Sequence, residues 1–336
     1  MSLYKAETRR LVKRRFTRLF VLGTLIVLAT IAVGVFLSNQ KIGPAQLAAA
    51  QATADRDYQQ QLQAAKQEKA SCEAAPGTPS AANYPPDCSQ MYTPTPEDFK
   101  PEWYMPATFD FRKNFGDMAI VLAALLAMTA FVVGASFVGA EWNSGGMMNL
   151  LLWRPQRLRV LGAKLLAFLV GLTALTAVLS AAWTGIFLLV ANLHGSTASM
   201  TSGAWQSDLL MELRGLALVL VGGAVGFGLA SLGRHTAMAL GVAMGVIVVF
   251  QIGLATVLGL AKVKFLEAYL IPTWGVAWMN KTVKLENSDS CNFSATNGCQ
   301  PETLTITWPM VGGVLALVLV LVVGGSMWTM RSRDVT

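Results

Sequence analysis

Phe137–Lys164 reads FVGAEWNSGGMMNLLLWRPQRLRVLGAK, and the reading of this stretch decides the fold. It lies between two long apolar segments and holds a lone acid (Glu141), a Gly145-Gly146 break, a short apolar run and the cluster Trp153-Arg154-Pro155-Gln156-Arg157-Leu158-Arg159. Apolar helices need no such insert to cross a bilayer. A compact, basic element with an aromatic residue, placed between two spans, suits contact with another protein.

Outward from this stretch the chain is strongly apolar. Hydrophobic residues make up 54% of it and charged residues only 13%, with a mean hydropathy of +0.49, which lies outside the range of soluble globular domains. A helix crossing a bilayer needs about 20 mostly apolar residues. Six segments meet or approach this, at residues 19–37, 117–140, 161–193, 213–232, 237–260 and 308–330. The third is long enough to be tilted, or broken near Ser180–Trp183. The first follows Lys13, Arg14, Arg15 and Arg18 as a signal peptide would, but the following Ser38-Asn39-Gln40-Lys41 lacks a small-residue cleavage pattern, so it is read as a retained span. The expected fold class is an all-α polytopic membrane protein of six transmembrane helices, with an N-terminal interfacial helix, a cytoplasmic element at 141–160 and a large external region after the first span.

The net charge of +7 is distributed as a topology signal rather than a nucleic-acid surface. Basic residues crowd positions 5–18, recur at Arg154, Arg157, Arg159 and Lys164, and return at Arg331 and Arg333. If six spans alternate, all three regions share one side, which the positive-inside rule makes the cytoplasm, with both termini there. The four cysteines fall on the opposite side, Cys72 and Cys88 after span one, Cys291 and Cys299 before span six. Disulfides persist in oxidising compartments, and Cys72–Cys88 with Cys291–Cys299 is the pairing expected among three possible.

Residues 1–18 read as an amphipathic basic helix at the cytoplasmic interface, its cations near lipid phosphates. Residues 38–116 form the external region: Ala45–Ala70, rich in Ala, Gln, Glu and Lys, should be a helix standing off the membrane, and the proline-dense part from Pro76 to Pro106 should lack regular structure. Residues 194–212 and 261–307 are expected as external loops, the latter opening with an amphipathic segment (Lys262–Tyr269) at the interface, and 331–336 as a cytoplasmic tail. Gly222, Gly223, Gly226 and Gly228 in span four suit close helix approach, as a subunit or repeat contact. Gly233-Arg234-His235 should make a tight cytoplasmic turn between spans four and five.

Chemistry is sparse. The two histidines, His194 and His235, fall on opposite sides of the expected membrane, so no His-based metal or protease site assembles. Gly162-Ala163-Lys164 lacks the glycine and hydroxyl residue of a phosphate loop. No enzyme activity, metal or cofactor is expected on this chain, and no nucleic-acid partner. Asp117, Glu141, Lys164, Glu212 and Arg214 sit at expected span ends, with only Gln251 deeper, which weakens an ion-driven carrier.

The stretch Glu141–Lys164, with Glu141, Gly145, Leu150–Leu152, Pro155, Arg157 and Lys164 in place, resembles the signature region of ABC-2 type transporter permeases. Gly146 stands where a hydroxyl residue is frequent in that family. The resemblance extends to the basic N-terminus, six spans and a large loop after span one. It implies the membrane-spanning subunit of an ATP-driven exporter in a plasma (inner) membrane, most naturally bacterial, moving a drug, lipid or hydrophobic peptide outward. ATP and Mg²⁺ would bind a separate ATPase subunit at the cytoplasmic face, and a second permease copy or paralogue would complete the assembly within membrane lipid. Gly146–Trp153 would be a coupling helix, with Glu141, Gly145, Trp153, Arg154, Pro155, Arg157, Arg159 and Lys164 as ATPase-coupling residues. Phe36, Met128, Phe131, Phe250 and Gln251 are candidates to line a substrate path. A different reading is a non-transporting immunity or sensor protein that binds an envelope ligand through residues 38–116.

Overall fold

A computed structural model describes residues 7, 9–11, 13–77, 79, 83–153, 156–294 and 298–332, with side chains outside 150–153 and 288–300. In chain order the principal elements are α1 (Arg15–Ser38), α2 (Pro44–Ala74), β1 (Phe109–Asp110), α3 (Phe111–Asn143), α4 (Gly146–Trp153), α5 (Arg157–His194), β2 (Gly195–Ser196), α6 (Ser202–Leu232), α7 (Thr236–Leu260), α8 (Ile271–Asn280), β3 (Thr282–Ser294), β4 (Gly298–Thr307) and α9 (Trp308–Ser332). Six of these, α1, α3, α5, α6, α7 and α9, are long and apolar enough to cross a membrane. The molecule is thus an all-α polytopic membrane protein, with β structure confined among the described residues to two small sheets.

Three features differ from the sequence expectation. The third span is one unbroken helix, Arg157–His194, so Ser180–Trp183 is no break. The fourth helix starts at Ser202, capped by Thr201, whose hydroxyl accepts from Ala204 N at 3.3 Å. Much of the expected loop at 194–212 is therefore helical, and Glu212 and Arg214 lie well inside α6. The expected loop at 261–307 holds α8 and an antiparallel hairpin, with Thr282 opposite Thr307 and Leu285 opposite Leu304.

The chain divides into two compact parts. In the larger (residues up to 32, 112–187 and from 200 on), the interior is made by α3 and α6, of whose most apolar windows 44% and 50% are buried, against 6% for α7. Small residues on α6 permit this packing. At Gly226 an added Cβ would collide with the Phe131 carbonyl, and at Gly222 it would sit 2.8 Å from the Ala127 carbonyl oxygen. The glycines expected to meet a subunit or repeat are thus used inside the chain: Gly222 and Gly226 against α3, Gly223 against Phe168 and Leu172 of α5, and Gly228 against Val322 of α9. α5 is tied to α3 by Trp183 Nε1 donating to Met118 O at 3.0 Å. π-helical turns interrupt α7 at Val246–Gly253 and α9 at Val320–Gly324. Pro272 opens α8, where its missing N–H costs nothing. The carbonyls of Trp278 and Met279 at the far end of α8 accept from Arg214 Nη1, and Trp278 Nε1 donates back to Arg214 O at 2.8 Å. A cation at a helix C-terminus satisfies its orphan carbonyls and opposes its dipole. The hairpin packs on α8 through Ala277, Ile306 and Val311, with Trp274, Trp278 and Val283 around them.

In the smaller part (residues 33–111 and 188–199), α2 begins at Pro44, with Gln46 Oε1 accepting from Gly43 N at 3.1 Å. The disulfide Cys72–Cys88, its Cα atoms 6.0 Å apart, clips the end of α2 to the proline-rich stretch. Among its described residues that stretch holds only short 3₁₀ turns, and Tyr58 of α2 meets Phe99 with ring centroids 5.8 Å apart. β1 and β2 pair in parallel, and His194 Nδ1 lies 2.7 Å from Asn39 O.

Candidate functional site

The Gly145-Gly146 break does what its residues allow. α3 ends at Asn143, Gly145 takes φ +70°, a left-handed conformation that glycine adopts without a Cβ penalty, and α4 starts at once at Gly146. The short helix matches the expected bounds, Gly146–Trp153, and Met147 fixes it by complete burial. Asn149, two residues on and about half a turn around the helix, is exposed.

The flanks of α4 are held by buried charge. Lys164, in the second turn of α5, is fully buried, with Nζ 2.6 Å from Glu141 Oε2 and 2.7 Å from Glu7 Oε2. Arg14 Nη2 reaches Glu141 Oε1 at 3.2 Å, while its Nη1 donates to Ser136 O (2.9 Å) and Phe137 O (3.1 Å) at the end of α3. Arg10 Nη1 lies 3.3 Å from Glu7 Oε1, so two carboxylates meet three cations in a network between the N-terminal segment, α3 and α5. Burial pulls the Arg14 guanidinium below its ordinary value, opposed by the attraction of Glu141 and Glu7; arginine keeps its charge regardless. Two of these cations also lie over the Phe137 ring, Arg14 at 5.3 Å and Lys164 at 5.5 Å from its centroid. Phe137 stacks on Phe168 (6.0 Å), and Phe168 on Phe227 (6.4 Å), so the network rests on an aromatic column across α3, α5 and α6. Nearby, Arg234 in the α6–α7 turn lies 5.2 Å over the Trp142 ring. That turn is as tight as expected, with Arg234 at φ +54° and His235 Nδ1 accepting from Ala237 N.

Of the sequence candidates, the structure brings Glu141 and Lys164 into direct contact and places Gly145 at the turn. Both charges are interior, at the two flanks of the short helix. Arg157 is the first residue of α5 and half-buried; Arg159 is exposed and donates to Gln156 Oε1 at 3.0 Å. Trp153 ends α4, its side chain outside the described set, and Arg154 and Pro155 lie outside the described residues. The Cys291–Cys299 pair concerns side chains outside the described set, whereas Cys72–Cys88 is bridged.

The substrate-path candidates have different surroundings. Met128 is 59% and Phe250 53% exposed, Phe36 packs on the His194 ring at 4.0 Å, Phe131 gives its carbonyl to the Gly226 contact, and Gln251 Oε1 accepts from Ile271 N at 3.0 Å to hold the start of α8. An apolar cavity of about 260 Å³ lies instead between α1, α3 and α5, lined by residues such as Leu11, Val21, Val133 and Leu172, with Arg18 among its few polar members.

Sequence reasoning missed Glu7 and Arg14. One signal was available: Glu7 is the single acid among the basic residues of positions 1–18. A lone acid there suits an interior cation better than a lipid phosphate.

No curated protein matches the chain. A family model described as ABC-2 family transporter protein matches residues 1–328. A short helix between the second and third of six spans, framed by Glu141 and Lys164, accords with that match, and the chain belongs to the ABC-2 family of transporter proteins.

Proposed function

We propose that this chain is the membrane-spanning subunit of an ATP-driven exporter, and that α4 with its flanks receives the motion of a separate ATPase subunit. Family membership makes it a membrane permease component of an ABC transporter, which works with an ABC ATPase. The observation that carries the finer reading is the buried network Glu7–Lys164–Glu141–Arg14, which fixes both sides of an eight-residue helix to two membrane spans and to the N-terminal segment. A push on α4 then moves α3 and α5 together, the rigid-body kind of transition. On this reading the network end is cytoplasmic, ATP and Mg²⁺ bind the partner, and the membrane is the inner membrane of a bacterium. The sparse burial of α1 (11%), α7 (6%) and α9 (11%) leaves apolar faces for lipid and a second permease copy. The cargo is hydrophobic or amphipathic, in keeping with the apolar cavity. Transport, rather than envelope sensing, is the activity the family supports.

The test is the stimulation of the partner's ATP hydrolysis by this chain in proteoliposomes. Arg157→Glu with Arg159→Glu should reduce stimulation at least tenfold while leaving the thermal unfolding midpoint of the purified chain in place. Unchanged stimulation would remove these residues from the coupling role.

A further inference from the structure

α5 and α6 share a polar seam inside an otherwise apolar bundle. Thr176, Ser180 and Thr184 recur at i, i+4 and i+8 on α5, one face of a helix. Opposite them on α6 stands Glu212, with Asp208 one turn before it on the same helix. Thr184 Oγ1 donates to Glu212 Oε1 in a short hydrogen bond. Glu212 lies ten residues beyond Ser202 (212 − 202), about 15 Å of helix rise from the start of α6.

Two observations say that something belongs there. Thr176 is only 3% exposed, and its hydroxyl has no hydrogen-bond partner among the described residues. It lines, with Ser180 and Glu212, a cavity of about 10 Å³, close to the least space a single water needs. The rest of that wall is apolar, Leu122, Ala123, Leu126, Val219 and Met279 among it. Among the described residues, no cation lines the cavity with Glu212. The cavity-lining residues of α3, α5 and α8 include no other titratable group, and on α6 itself the nearby charges are Asp208, whose Oδ2 is buried without a partner, and Arg214, whose guanidinium is taken by the carbonyls at the end of α8. An ionised carboxylate in apolar surroundings without a counter-ion is costly, and neutralisation relieves it.

We propose that Glu212 is a proton-binding site within the membrane part of the protein: its Oε1 accepts from Thr184, its other oxygen carries the proton, and one water joins the carboxyl to Thr176. The proton sits between α5 and α6, so its loss would place an uncompensated charge between two spans and favour their separation. This gives the transport domain a pH-sensitive joint distinct from the α4 element. It rests on the span assignment alone, not on ATP coupling. Too few oxygens converge there to replace the hydration shell of a metal cation.

Infrared difference spectroscopy of the full chain in lipid nanodiscs reads the group directly. The spectrum of the native chain minus that of Glu212→Gln at neutral pH should show the carbonyl stretch of a protonated carboxylic acid, shifted in D₂O. Thr176→Val, a near-isosteric change expected to fold, should move that band without removing it, and Asp208→Asn should leave it present. A carboxylate band in its place, a band indifferent to Thr176→Val, or a band that depends on sodium concentration would overturn the proposal. None of these outcomes bears on whether an ATPase binds.

Discussion

Lys164 carries more of the site than any other side chain, because it is fully buried and serves two carboxylates at once. Removing one member of a buried ion pair leaves an unpaired charge and costs about 3–5 kcal/mol. Lys164→Met should therefore lower the thermal unfolding midpoint of the purified protein sharply, because the buried Glu7 then keeps only the 56% exposed Arg10 as its partner. Adding Glu7→Gln should recover part of that loss, because it removes the buried carboxylate that Lys164 served and leaves Glu141 with Arg14; strictly additive losses in the double variant would show that the two residues do not interact. Glu141 and Lys164 were legible in the sequence as coupling residues through their place in the motif, whereas their burial was not. Glu7 stands out as the single acid of positions 1–18, but its partner does not, since the Lys164–Glu7 contact joins residues 157 positions apart; Arg14 is one of several basic residues in the same segment. What local pattern did report was the basic character of the segment, which was read as facing lipid.

The elements that depend on near-neighbour chemistry were the easiest to foresee. α4 follows from a glycine break and an apolar run, and α2 from its helix-forming composition. The β3–β4 hairpin was read as loop because Asn287–Ser290 and Ala295–Gly298 are polar and turn-like. Yet Thr282-Val283-Lys284-Leu285-Glu286 and Thr303-Leu304-Thr305-Ile306-Thr307 alternate with the strand period of two. The start of α6 was missed because Glu212 and Arg214 lower the local hydropathy; the helix runs through them, with Thr184 and the carbonyl end of α8 as their partners. The glycines of α6 were seen as a packing face, but only tertiary structure identifies α3, α5 and α9 as the surfaces they meet. Gly226→Val drives a branched side chain into the Phe131 carbonyl, and overpacking of this kind costs about 3 kcal/mol or more. The variant should be recovered from membranes in much lower yield as a monodisperse species, whereas Gly241→Val, at a glycine with open space around its Cβ position, should behave as the native chain. Equal behaviour of the two would contradict the close α3–α6 packing.

For the molecule as a whole, six spans and membrane residence were readable from hydropathy alone, and the family from one motif together with that layout. Sidedness came from the distribution of Lys and Arg, and the oxidised Cys72–Cys88 pair suits its external assignment. The cargo was not readable, because the residues chosen for aromatic and sulfur content scatter over lipid-facing and structural positions, and the apolar cavity draws on Leu and Val that periodicity cannot tell from ordinary core. The central claim is that the end of the molecule bearing α4 meets the ATPase. A photoreactive residue placed at Asn149, exposed on α4, tests it in intact membranes against one at Tyr92, 68% exposed in the proline-rich stretch after the first span. The account predicts that Asn149 crosslinks to the ATPase subunit and Tyr92 does not; a crosslink from Tyr92, or none from Asn149 with the complex assembled, would contradict it.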